Sequence, residues 1–86
     1  MRIQIPTPLR SYTAGAKYVD ATGATLDDLL HDLDRRFPGL RFRVVDEQGR
    51  LRAHMRIFVN RAIEAELSTP ISGDDEVVLM QALSGG

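Results

Sequence analysis

The residues with the clearest chemical potential are the last three. Ser84, Gly85 and Gly86 follow the apolar run Val77 to Leu83, so a strand-like segment ends in a tail almost without side chains. Two terminal glycines arise by chance in roughly one chain in two hundred, taking glycine at ~7% of residues. Each glycine adds unfolded-state freedom and contributes no packing, so stability does not account for the pair. Extended, Leu83 to Gly86 reach about 13–14 Å. A tail this thin can thread a narrow channel in another protein and present its α-carboxylate to a nucleotide there. A carboxylate is unreactive until it gains a leaving group. ATP-dependent adenylation supplies one, and sulfur can then displace AMP to leave a thiocarboxylate. Gly86 is the expected site of that chemistry, with Ser84 and Gly85 as its slim approach. On this reading the chain binds no cofactor, a partner uses the ATP, and the chain by itself is not an enzyme.

Other chemistries find little support. The 86 residues contain no cysteine, which excludes disulfides, thiolate metal sites and cysteine nucleophiles and fits a reducing compartment. His31 and His54 are the only histidines. A metal site would need both, plus carboxylates from distant segments, so none is expected. The acidic pairs Asp27/Asp28, Asp46/Glu47 and Asp74/Asp75 read as a helix start and two turns. No Ser/His/Asp spacing, phosphate loop or dinucleotide fingerprint is present. Eleven basic and twelve acidic residues give a net charge of −1, so no global field draws the molecule to nucleic acid or to a membrane. The run Arg41, Arg43, Arg50, Arg52 and Arg56 reads first as the solvent side of a ribbon. Its other reading is an electropositive patch for an acidic partner or RNA; the solvent side is favoured over nucleic acid, and a protein partner stays open. No apolar run approaches the ~18 residues of a membrane helix and the N-terminus lacks a signal-peptide pattern, so a cytoplasmic protein is expected.

These residues need a scaffold, and composition allows one. Hydrophobic residues are 43% and charged residues 27%, ordinary for one globular domain. Met1, Ile3 and Ile5 alternate with Arg2 and Gln4 as a strand that Pro6 ends; "LRSYTAGA" reads as a loop, and "KYVDA" as a short second strand. Leu26, Leu29, Leu30, Leu33 and Phe37 form one stripe of a helix over about 26–36. Thr25 sits at its N-cap and Pro38-Gly39 stops it. "LRFRVVDEQGRLRAH" reads as an irregular ribbon turning at Asp46 to Gly49. "MRIFVN" is a strand, a minor strand lies near Ile63, and "EVVLMQAL" is the last strand, apolar enough to be central. One helix on a mixed sheet of four or five strands is the α+β, β-grasp arrangement. Residues 1–82 form the domain and residues 83–86 a flexible tail.

Alternation sends Phe58, Val78 and Met80 to the sheet face away from the helix, where a one-helix sheet is ordinarily polar. They are the candidate partner surface. The other reading is that the ribbon after residue 39 folds over and covers them.

The stretches "IPTPLRSYTAGAKYV", "GATLDDLLHDLDRRFPGL", "RIFVN" and "SGDDEVVLMQALSGG" together resemble the MoaD/ThiS group of ubiquitin-like sulfur carriers over nearly the whole chain. The resemblance implies a Gly86 thiocarboxylate, made by an adenylating enzyme of the ubiquitin-E1 type with a sulfur donor and passed to a sulfur-accepting synthase. The opening "IPT-LR--T-G-K-V" most resembles the carrier that feeds a cysteine synthase, with a metalloprotease-type hydrolase releasing the product. Molybdopterin and thiamine carriers are the competing types. Two departures stand out: Gln81 where those families commonly have proline, and Asn60-Arg61 where Asn-Gly is frequent. Two other classes compete: a noncatalytic β-grasp binding module, and a protein modifier that attaches Gly86 to lysines.

Overall fold

A computed structural model describes residues 1–82. Five strands form one sheet: β1 (Arg2–Gln4), β2 (Tyr18–Asp20), β3 (Met55–Val59), β4 (Ala62–Glu64) and β5 (Val77–Gln81), in the order β2-β1-β5-β3-β4. β5 lies at the centre, parallel to β1 and antiparallel to β3. This is the β-grasp topology, with the apolar last strand in the place its composition favours.

The helix α1 spans Leu26–Arg36, as the leucine stripe predicts. Thr25 Oγ1 accepts the Asp28 N–H at 3.2 Å, while the Thr69 and Leu67 carbonyls accept from Leu26 and Asp27. Three donors of the first turn are thereby satisfied. Leu26, Leu29, Leu30 and Leu33 bury against Ile3, Ile5, Met55, Ile57, Val77 and Leu79 of the sheet. Gly23 lets the chain approach α1 closely, because a Cβ there would collide with the Leu29 backbone nitrogen.

Two segments differ from the sequence reading. Thr7–Thr13, expected as loop, is a 3-10 helix, with Pro8 early enough for its missing N–H to cost nothing. Leu40–Val44, expected as the start of the ribbon, is a short helix, α2. One carboxylate from α1 starts it: Asp34 Oδ1 accepts from Gly39 and Arg41 N–H at 3.1 and 3.2 Å. Leu40, Val44 and Val45 join the core on the helix side of the sheet. The segment after residue 39 therefore completes the inner core, and the covering that was the alternative for Phe58 is not made by these residues.

Candidate functional site

β5 carries the chain through the middle of the sheet and out at one end. Its last ladder pair is Met55 opposite Gln81, and Ala82 N–H then donates to the His54 carbonyl at 2.7 Å. Ser84, Gly85 and Gly86, the predicted reactive tail, lie outside the described residues, as does Leu83. The structure thus fixes the base from which they depart.

The register gathers the other predicted residues on one face. Phe58 stands opposite Val78, and Met80 opposite Arg56. Phe58 and Val78 are half-buried, while Met80 is 46% exposed. Ile63 stands opposite Phe58 on β4 and is 59% exposed. It extends the apolar row to four residues and was not singled out by sequence. Its signal was present in the alternation of Ala62, Ile63 and Glu64, but only pairing with Phe58 gives it a face. Gln4, opposite Val78, and Tyr18, opposite Gln4, continue the row as polar and aromatic flank. The Arg2 guanidinium lies 4.3 Å from the Tyr18 ring centre and Lys17 Nζ 5.4 Å. A small apolar centre with a polar rim suits protein recognition.

The turn joining β3 to β4 is built for rigidity at its base. Asn60 and Arg61 both have positive φ, 51° and 71°, the pattern of a type I′ turn, where glycine commonly fills the second place. Asn60 N–H donates to Glu76 carbonyl, its Oδ1 accepts from Glu76 N–H, and its Nδ2 donates to Asp75 Oδ1. Asp75 also accepts Ser72 N–H at 2.8 Å, and that bond, with the one from Asn60, holds its carboxyl below the ordinary range.

Among the described residues the titratable side chains lie apart in separate pairs and small groups. His31 is exposed, 3.6 Å from Asp27, and His54 is exposed at the tail base. Among the described residues no group of three metal-ligating side chains comes together. Asp32 is the buried carboxylate. It accepts Thr22 N–H at 2.9 Å and pairs with Arg36 and Arg35, and these contacts, the Thr22 bond foremost, hold its pKa at about 2. Its role is to tie α1 to the segment after β2.

The arginine run is dispersed. Arg41 turns to Asp27, 3.5 Å away. Arg52 stacks on Phe42 with its guanidinium 4.7 Å from the ring centre. Arg56 donates to the Ala53 and Met55 carbonyls. Arg50, Arg52 and Arg56 also line an open cleft of about 650 Å³, with Glu64 and Glu66 across it. None of the described helices is long and apolar enough to cross a membrane.

Comparison with known proteins gives this scaffold relatives. The model of the ThiS family matches residues 3–86. The sulfur carrier protein CysO of Mycobacterium tuberculosis is 35% identical over 98% of this chain and 96% of its own. The crystal structure of M. tuberculosis CysO superposes with a TM-score of 0.89 at 33% identity, over 95% of this chain and 98% of that one. CysO in the Amycolatopsis orientalis BexX/CysO complex gives 0.90 at 31% identity, over 99% and 98%. SAMP1 from Haloferax volcanii gives 0.79 at 30% identity, over 100% and 98%. With its β-grasp sheet and a match that runs through the final glycine, the chain belongs to the ThiS family of ubiquitin-like proteins, as a homologue of CysO.

Proposed function

We propose that this protein is a sulfur carrier whose Gly86 carboxylate is the working group. The observation that carries the reading is the ThiS match, which includes the Ser84-Gly85-Gly86 end, together with full-length similarity to proteins named sulfur carriers. Residues 83–86 act as the tail, beginning just beyond the Ala82–His54 bond. A Gly86 carboxylate oxygen attacks the α-phosphorus of ATP bound by an E1-like enzyme, and pyrophosphate leaves. Sulfide from a donor then attacks the acyl carbon. The bond to AMP breaks with its electron pair going to AMP, leaving a thiocarboxylate with no change in oxidation state. The acceptor is of the cysteine-synthase type, and a metalloprotease-type hydrolase frees the product and restores the carboxylate. Phe58, Val78 and Met80, joined by Ile63, form the surface these partners touch.

ATP–pyrophosphate exchange by an E1-like enzyme from the same genome tests this. Exchange that depends on this chain supports the reading. Its absence with an enzyme active on another carrier contradicts it. A second reading, attachment of Gly86 to lysines, is favoured by the likeness to SAMP1, described as a small archaeal modifier protein. Isopeptide-linked conjugates in cell extracts would identify it.

A further inference from the structure

The arginines of the described residues are held in two different ways. On the helical side Arg35 and Arg36 pair with Asp32, and Arg41 with Asp27, while Arg43 is exposed and has no ion pair among the described residues. Those around the tail base are handled differently. Arg10 Nε donates to the Ile5 carbonyl at 3.0 Å, Arg52 Nε to the Phe42 carbonyl at 2.8 Å, and Arg56 Nη1 to Ala53 and Met55 carbonyls at 2.7 and 2.8 Å. None of the three forms an ion pair among the described residues, though Asp46, whose carboxyl the Arg50 N–H holds below the usual range, has Arg52 close enough to help. Carbonyl bonds fix a guanidinium in place without neutralising it, so each presents a full charge at low cost in side-chain freedom.

Their placement follows from the register. β1 runs parallel to β5, so Ile5, beyond the Gln4–Val78 pair, lies toward the exit end of β5. Arg56 stands directly opposite Met80 on the other side, with His54 at the exit itself. Lys17, whose carbonyl accepts from Ile5 N–H, adds a further cation at that end. Glu64 and Glu66 line the same cleft as Arg52 and Arg56, with Glu64 leaning to the Thr69 hydroxyl at 3.4 Å. At the far end of the sheet stand Asp20, Asp74, Asp75 and Glu76 against Arg2 and Arg61. In a chain of net charge −1, Arg10 and Arg56 thus stand without ion pairs, among the described residues, toward the exit end of β5.

We propose that Arg10 and Arg56 form a docking collar for a protein whose tail-accepting channel has an acidic rim. This rests on the carrier reading and names what the partner must look like. Charges fixed by carbonyl bonds near the exit end of β5 steer the entry of the proposed tail and set its orientation, which raises encounter rate more than it alters chemistry.

The test is the activation step with the E1-like enzyme, wild-type chain against R10Q/R56Q, with R61Q as the far-end control. Melting curves verify that each is folded, and R56Q alone serves if the double variant is not. The collar predicts that the wild-type KM rises with ionic strength. R10Q/R56Q raises KM about tenfold at low salt, flattens the salt dependence and leaves kcat unchanged; R61Q changes neither. A folded R10Q/R56Q with wild-type KM and salt response overturns the collar while the carrier reading stands. Salt-dependent binding of a homopolymeric RNA, lost in R10Q/R56Q while KM is unmoved, would overturn it in favour of nucleic acid. A wild-type chain that is never activated overturns the carrier reading, and the collar falls with it.

Discussion

Ala82 donates its amide to the His54 carbonyl at 2.7 Å, one residue beyond the Met55–Gln81 pair that ends the central ladder. It is the last backbone bond that the described residues make at that end of the sheet. Leu83 to Gly86, the proposed tail, would add about 13–14 Å of reach if extended.

Deleting Gly86 should therefore leave the melting temperature where it is and abolish pyrophosphate exchange. Calorimetry and the exchange assay on the same preparation check both halves. A fall in melting temperature would mean that the tail packs on the domain.

Phe58→Ala should lower stability by only about 1 kcal/mol, the loss of a cross-strand aromatic contact with Val78 and Ile63. Leu30→Ala, in the α1 stripe, should lower it by about 2–5 kcal/mol. Partner affinity should follow the opposite order among the folded variants. Urea unfolding with titration against the activating enzyme measures both.

Arg61→Gly should stabilise the fold by about 0.5–1 kcal/mol. Arginine at φ 71° carries the strain of the left-handed region, which exceeds the extra unfolded freedom of glycine. A shift of the urea midpoint to higher concentration is the expected result.

Asp32 has its folded pKa depressed from 3.8 to about 2. A depressed carboxyl contributes stability above its unfolded pKa, and that contribution disappears as pH falls through the folded value. Asp32→Asn should thus be the less stable protein at pH 7, with the gap to wild type closing between about pH 4 and pH 2. Asp46 and Asp75 are depressed too, but they are common to both proteins and drop out of the difference. Urea midpoints across that range provide the comparison.

Where one periodicity ran long, the sequence was readable. Five apolar residues in register gave α1 its observed limits, and the alternation in "MRIFVN" and "EVVLMQAL" placed Phe58, Val78 and Met80 on a shared face. Short elements were not legible. In "LRFRV" the alternation of Leu40, Phe42 and Val44 with arginines mimics a strand, yet Phe42 is 53% exposed and Leu40 and Val44 are buried one helical turn apart. The deciding contact, Asp34 accepting two α2 N–H groups, comes from another element and has no local signature. The collar was hidden for the same reason. Arg10 lies far in sequence from the run that ends at Arg56, and only the parallel pairing of β1 with β5 sets both toward the exit end of β5.

The central claim is met most directly by intact mass after incubation with an E1-like enzyme, ATP and sulfide. Replacing oxygen by sulfur adds nearly the same mass as oxidation of Met1, Met55 or Met80, so the shift must be mapped to the C-terminal peptide and trapped by a thiol-selective alkylator. The account predicts an alkylated thiocarboxylate at Gly86. An unmodified C-terminal peptide from a folded protein, with an enzyme active on another carrier, would contradict it.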